Sequence, residues 1–253
     1  MKAIGIIGFH HTGKTTLAVA VINALRNKNF SVSSIKDIHN ENYRADNPNT
    51  NSWLHAQAGA ENVFACGTRD TALIFPSKLS LYEMLPHLSS EFLIIEGMKD
   101  AAVPKIVCAD NEDQLEELLD DTCIGISGRI ADKISSYKGI KVFCLSKDLD
   151  ALIQTIIERS FSILPNCDPL CCSACGTSCY QMARDIVQKR RMRSDCVLDG
   201  SEKISLRIGN KEIPIVPFVQ NLLYDNILAF IHNLKGVDPD GSISISINPK
   251  KHD

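Results

Sequence analysis

Gly8–Thr15 reads GFHHTGKT and fits the pattern G-x-x-x-x-G-K-[ST] without deviation. The run before it, Lys2–Gly8 (KAIGIIG), reads as a short strand. After it, Leu17, Ala20, Val21, Ala24 and Leu25 recur at the spacing of one helix face across Thr15–Asn27. A strand, a glycine-rich loop and a helix in this order form a phosphate-binding loop. Gly8 and Gly13 let the backbone turn sharply, so successive amides point inward at phosphate oxygens. The helix N-terminus adds positive potential. Lys14 supplies a point charge for β and γ phosphates, and Thr15 offers a hydroxyl to a magnesium ion. The plain alternative, a chance glycine-rich turn, fits the flanking strand and helix poorly.

Outward from the loop the chain alternates in type. Strand-like runs cover Phe30–Lys36, Asn62–Cys66, Ala72–Phe75, Phe92–Glu96, Lys105–Cys108, Ile124–Ser127 and Val142–Leu145. Helical patterns cover Ser52–Ala60, Lys78–Leu88 (limited by Pro86), Asp113–Asp120 and Leu149–Arg159. Such alternation predicts an α/β domain of the P-loop NTPase type with a mostly parallel sheet covered on both faces. The later grammar differs. A cysteine-rich stretch at Pro165–Cys175 precedes a helix at Ser178–Arg190 and a hairpin of Ile204–Ile208 and Glu212–Val216. A helix over Pro217–Leu234 and an alternating strand, Ser242–Ile247, follow. We therefore expect two domains, 1–162 and 163–253, the second a small α+β cysteine-rich unit.

The chain has 253 residues, 44% of them hydrophobic and 23% charged, with a formal net charge of −3. That balance excludes a disordered tail, and nothing global draws the chain to nucleic acid or an anionic membrane. No run approaches a membrane span, and the N-terminal apolar run lacks a cleavage pattern. A cytoplasmic protein is expected, with no membrane and no nucleic-acid partner. Cys66, Cys108, Cys123 and Cys144 read as ordinary buried thiols. The acidic segment Asp110–Asp121 reads as a solvated face. The basic run Lys189–Arg193 reads as cations at a helix end.

A nucleotide site needs an acid near the metal. FLIIEG at Phe92–Gly97 ends a buried strand in Glu96, and the carboxyl end of a central strand faces the ligand crevice of an open α/β sheet. Glu96 is thus a candidate metal ligand or activator of water, and Asp46 is a second candidate acid. Together GFHHTGKTTL, SIKDIHN at Ser34–Asn40, the run from Asp46 to Ala60 and its continuation AQAGAENV, and IIEGMK at Ile94–Lys99 resemble the MobB family. That is the family of molybdopterin-guanine dinucleotide biosynthesis protein B. The resemblance covers residues 1–160. It implies a GTP- and magnesium-binding protein, a homodimer with weak GTPase activity, acting beside a molybdopterin guanylyltransferase or a molybdo- or tungsto-enzyme. Carried over, Gly8, His10, Gly13, Lys14, Thr15 and Thr16 match the phosphate site. Lys36 matches a lysine after the second strand, Asp46 an acid in the next loop, and Glu96 the acid before glycine. Lys14 and Glu96 become the catalytic candidates, Thr15 and Glu96 the magnesium ligands. Family members often carry histidine where this chain has Asp37 and Asn40.

Six of the ten cysteines lie between Cys167 and Cys196. The spacing Cys172-x2-Cys175-x3-Cys179-x16-Cys196 puts three thiols in a tight loop and the fourth after a helix, as a polypeptide wraps a cubane cluster. The segment resembles the small [4Fe–4S] domains of corrinoid iron–sulfur proteins, and similar segments are fused to MobB-type domains in archaea. Zinc also favours four thiolates, and structural thiols are the third reading. Cys167 and Cys171 are spare candidates. Two rival functions stand beside cofactor maturation: a nucleotide-driven redox or metal chaperone, and a non-catalytic nucleotide- or pterin-binding adaptor.

Overall fold

The computed structural model describes residues 1–165 and 175–196, and beyond them 204, 206–208, 211–213, 215, 217–234, 243 and 245. In chain order the elements are β1 (Lys2–Gly8), α1 (Lys14–Asn27), β2 (Val32–Lys36), α2 (Asn51–Gln57), β3 (Val63–Cys66), β4 (Thr71–Ile74), α3 (Leu81–Met84), β5 (Phe92–Glu96), β6 (Lys105–Cys108), α4 (Glu112–Leu118), β7 (Cys123–Ser127), β8 (Ser136–Tyr137), β9 (Ile140–Lys141), α5 (Leu145–Arg159), β10 (Phe161–Ser162), α6 (Cys179–Val187), β11 (Leu206–Ile208), β12 (Lys211–Ile213) and α7 (Pro217–Ile231).

The main sheet has the order β2-β5-β1-β6-β7, every pair along it parallel. The phosphate-loop strand β1 is therefore central. At its start, Lys2 and Ala3 pair antiparallel with Ser162 and Phe161 of β10, before β6 joins at Gly5. Strands β5, β6 and β7 are buried along their whole length, as a parallel sheet covered on both faces requires. The pleat sorts the side chains by parity. Ile4, Ile6, Phe92 and Ile94 face α1 and α5, meeting Leu17, Val21, Leu25, Leu152 and Ile156. Ile7 faces Leu115 and Leu118 of α4, while Leu93 and Ile95 face Leu81 of α3. Each fully buried aliphatic side chain contributes about 1.5–3 kcal/mol. The two layers thus fix β1 and β5, and with them Gly8 and Glu96, at one end of the sheet.

Several expectations need correction. The helix expected over Lys78–Leu88 is one α-turn, Leu81–Met84, capped reciprocally by Ser80 and Glu83. It tightens into a 3₁₀ turn over Leu85–His87, because Pro86 has no N–H to continue an α-helix. Of the expected strand Val142–Leu145, Val142 makes a single bridge to Ile126 and Leu145 already opens α5. The Cys144 amide donates to Asp148 Oδ2 at 3.0 Å, which turns the chain into that helix. Cys108 and Cys123 are buried, but Cys66 is exposed at the end of the small β3–β4 hairpin and Cys144 is half-buried. Apart from Ile243 and Ile245, which are exposed, the expected strand Ser242–Ile247 lies outside the described residues.

Helix α6 packs into the same apolar cluster as α1 and α5, through Met182, Ala183 and Val187. Its polar side is tied to the turn after α4. Lys105, 1% exposed, donates from Nζ to the Tyr180 hydroxyl at 2.8 Å, and that hydroxyl donates to Asp120 Oδ2. Arg184 meets Asp121 at 3.0 Å, and Gln188 donates to the Asp121 carbonyl at 2.9 Å. Two acids of the segment read as a solvated face are therefore anchors. The basic run is also spent locally. Arg191 donates to the Cys175 carbonyl, and Arg193 donates to the carbonyls of Ser162 and Ile163. Among the described residues no helix is long and apolar enough to cross a membrane.

Candidate functional site: the phosphate loop and its acid

The loop leaves β1 at Gly8 and enters α1 at Lys14. Gly13 is the residue before the helix, at φ 94°, a left-handed conformation that glycine adopts without strain. No side chain caps the first amides of α1. The N-terminal end of a fourteen-residue helix is thus left for a ligand. Thr12, fully buried, donates from its hydroxyl to the Phe9 carbonyl at 2.9 Å, and Lys14 Nζ donates to the same carbonyl. These bonds hold the loop in a tight ring. His10, Thr15 and Thr16 stand on its exposed side.

Beside the loop lie three groups from three elements. Thr15 Oγ1 donates to Glu96 Oε1 at 2.7 Å. Lys36 Nζ reaches the same carboxylate oxygen at 3.0 Å and the Thr15 oxygen at 3.1 Å. The sheet brings them together, because Glu96 is in register with Lys36 on one side and Ile6 on the other. The Glu96 side chain is 11% exposed and that of Lys36 is 53% exposed. Gly97 lets the chain leave at φ +98°, and a Cβ there would stand 2.8 Å from that of Asp37. The arrangement fits magnesium. A cation, the Lys36 ammonium, already bridges the hydroxyl and carboxylate oxygens that a P-loop metal site uses.

The other expected residues fall elsewhere. Asp46 precedes α2, where Thr50 Oγ1 and the Asn47 amide donate to its Oδ1. The Ser52 hydroxyl, helped by Thr50 and Asn47, holds its carboxyl below the ordinary range. Asp37, after β2, pairs with His39 at 3.2 Å and lies 3.9 Å from Lys78. On the far side of β1, Asp110 follows β6, and its Oδ1 is shielded from solvent without a hydrogen-bond partner. The sequence reading passed over Asp110 as one of several acids in a charged run. Burial pushes the Cys108 and Cys123 thiols up to about 12, which keeps them protonated and inert.

Of the four cysteines expected to hold a metal, Cys172 lies outside the described residues. Cys175, Cys179 and Cys196 all pack against the α1–α5–α6 cluster. Among the described residues, however, no three His, Cys, Asp or Glu side chains are grouped to hold a metal ion.

The fold agrees with known proteins. The family model described as MobB, molybdopterin guanine dinucleotide synthesis protein B, matches residues 3–127. A "putative molybdopterin-guanine dinucleotide biosynthesis adapter protein" of Methanocaldococcus jannaschii is 30% identical over 99% of both chains. The corresponding adapter protein of Haemophilus influenzae is 29% identical over 41% of this chain and 61% of its own length. The crystal structure of Bacillus subtilis MobB superposes with a TM-score of 0.52 at 21% identity, over 61% of this chain and 98% of that one. That likeness shows the shared P-loop fold. The archaeal match along the whole sequence places this chain in the MobB family.

Proposed function

We propose that this chain binds GTP with magnesium at Gly8–Thr15, hydrolyses it slowly, and serves as an adaptor in the assembly of a guanylylated molybdenum or tungsten pterin cofactor. The observation that carries the reading is the trio Thr15–Glu96–Lys36 beside an α1 terminus that no side chain caps. The amides of the loop and the Lys14 ammonium bind phosphate oxygens. Thr15 and Glu96 hold magnesium, which neutralises phosphate charge when bound. Glu96 also orients or deprotonates a water at the open side of the loop. We assign the preference for guanine to Asp110, whose shielded oxygen suits an N–H donor on the base edge. The names of the archaeal and Haemophilus relatives support the adaptor role, which calls for a guanylyltransferase partner and, as in the family, a homodimer.

The test is magnesium-dependent phosphate release from GTP by the wild type and by Glu96→Gln. Slow turnover in the wild type, with roughly tenfold loss in the variant and nucleotide still bound, supports the reading; each tenfold corresponds to about 1.4 kcal/mol. Absence of GTP binding by the wild type rejects it. Asp110→Asn narrows the GTP-over-ATP preference if the base assignment holds.

For the cysteine segment we propose a [4Fe–4S] cluster on Cys172, Cys175, Cys179 and Cys196. What supports it is the spacing; among the described residues Cys175, Cys179 and Cys196 border the same apolar cluster without being grouped as ligands. Anaerobic purification followed by iron, sulfide and zinc analysis tests it. About four irons per chain with a broad absorption band supports the cluster; one tightly held zinc replaces it with a structural metal.

A further inference from the structure

A second cleft opens beside the phosphate loop, on the Glu96 side. It has a volume of about 820 Å³ and is bounded by the segment after β2, by α2 and by the turn after β4. That volume is within the ~300–1,000 Å³ typical of small-molecule sites. Lys36 belongs to both sites, since it lines the cleft and bridges Thr15 and Glu96. The lining combines three chemistries. Tyr43, Trp53 and Phe75 supply aromatic surface, Lys36, Arg44 and Lys78 supply cations, and Asp37, Glu41 and Asp46 supply carboxylates.

Arg44 is the informative member. Its Nη1 donates to the carbonyls of Glu41 and Tyr43, which braces the side chain against its own loop. Among the described residues it has no carboxylate partner, whereas Asp37 is matched with His39 and Lys78; Asp46 accepts from the Thr50 hydroxyl at Oδ1 and keeps Oδ2 shielded from solvent without a partner. A braced guanidinium without an internal counter-ion is suited to bidentate capture of phosphate. Aromatic faces beside it suit a flat ring. The nucleotide of the P-loop does not fill this cleft in our reading, because we place its base on the other side of β1, near Asp110.

We propose that this cleft is a second ligand site for a planar heteroaromatic phosphate, held with its phosphate on Arg44 and its ring against Trp53 and Tyr43. The ligand's phosphate then lies toward Lys36, next to the magnesium end of the bound nucleotide. This placement rests on the nucleotide reading above; the existence of the site does not. Two sources share the chemistry, a pterin phosphate and a second purine nucleotide.

The chain has one tryptophan, Trp53, so its emission reports the cleft directly. The experiment is a fluorescence titration with neopterin monophosphate, with GMP and with inorganic phosphate, on wild type, Arg44→Ala, Tyr43→Ala and Lys14→Ala. Circular dichroism checks that each variant is folded, and calorimetry with GDP reports the P-loop separately. We expect saturable quenching by a heteroaromatic phosphate, at least tenfold weaker in Arg44→Ala and weakened in Tyr43→Ala. It should be unchanged in Lys14→Ala, while Arg44→Ala still binds GDP. Tighter binding of neopterin monophosphate identifies a pterin site; tighter binding of GMP identifies a second nucleotide site. No saturable quenching by either compound overturns the proposal, as does quenching lost in Lys14→Ala but kept in Arg44→Ala. Loss of GDP binding with quenching intact would remove the nucleotide reading and leave the cleft.

Discussion

Two trios in this molecule join the same kinds of group, but their lysines sit in opposite surroundings. Lys36, Thr15 and Glu96 join an ammonium, a hydroxyl and a carboxylate at the open carboxyl end of the sheet. Lys105, Tyr180 and Asp120 join the same three groups beneath α6. The Lys36 side chain is 53% exposed, whereas Lys105 is 1% exposed. Placement decides what each can do. In the open trio the exposed ammonium has room to swing into solvent, which would leave Thr15 and Glu96 to hold a magnesium ion. In the sealed trio burial lowers the pKa of Lys105 against the pull of Asp120, and the ammonium also lies 4.5 Å from the centre of the Tyr180 ring. Such a cluster attaches a helix.

The contrast can be broken at the sealed trio first. Asp120→Ala removes the charged acceptor of the Tyr180 hydroxyl and a counter-charge near Lys105, and should destabilise the protein by about 3 kcal/mol, the upper end for a hydrogen bond to a charged group. The double change Lys105→Met with Tyr180→Phe should cost far less, within about 1 kcal/mol, since it removes the buried charge and its hydroxyl partner. Chemical denaturation measures both, and equal losses in the two variants would contradict a sealed ionic trio. At the open trio's loop, Lys14→Ala should weaken GTP binding roughly a hundredfold, about 2.7 kcal/mol, with little change in the unfolding midpoint. Isothermal titration checks the first and a thermal melt the second.

Acid separates the two regions further. Burial opposes ionisation of Asp120, but hydrogen bonds from Thr122 and Tyr180 and the Lys105 charge outweigh it, so its carboxyl lies below the ordinary 3.8. A depressed carboxyl contributes stability that is complete above the unfolded value and lost as pH falls through the folded one. The wild type should therefore lose stability below about pH 4 by a step that Asp120→Asn lacks, read from melting temperature against pH. The smallest effect is expected at the surface. Lys138 and Glu116 pair with both side chains more than half exposed, so Lys138→Ala should leave the melting temperature almost unchanged, because solvent and salt screen such a pair.

What the sequence disclosed follows the range of the interactions. The phosphate loop, its strand and its helix are local, and the motif with its flanking periodicity was enough to place Gly13, Lys14 and Thr15. Glu96 was legible as an acid at the carboxyl end of a buried strand, and the register of β5 with β1 and β2 puts it beside Thr15 and Lys36. Lys36 entered through the family resemblance, and the register of β2 with β5 explains its position. The attachment of α6 was not legible. Lys105 and Tyr180 are 75 residues apart, and neither the acidic run nor the basic run shows in sequence which members will be anchors. Asp46 lies away from the trio, with Oδ1 engaged by its own turn and Oδ2 shielded without a partner, an arrangement the sequence does not show. Helix Lys78–Leu88 failed for a local reason, Pro86, whose effect the sequence reading recognised but underweighted.

The central claim is that the open trio is a magnesium–nucleotide site and that Lys36 holds the place of the metal. The most direct measurement is a crystal structure with manganese and a non-hydrolysable GTP analogue, read by anomalous scattering. The account predicts a metal peak beside Thr15 Oγ1 on the Glu96 side, phosphates in the Gly8–Thr15 loop, and the Lys36 ammonium displaced from both oxygens. Nucleotide bound away from the loop, or a metal elsewhere with Lys36 still bridging Thr15 and Glu96, would contradict it.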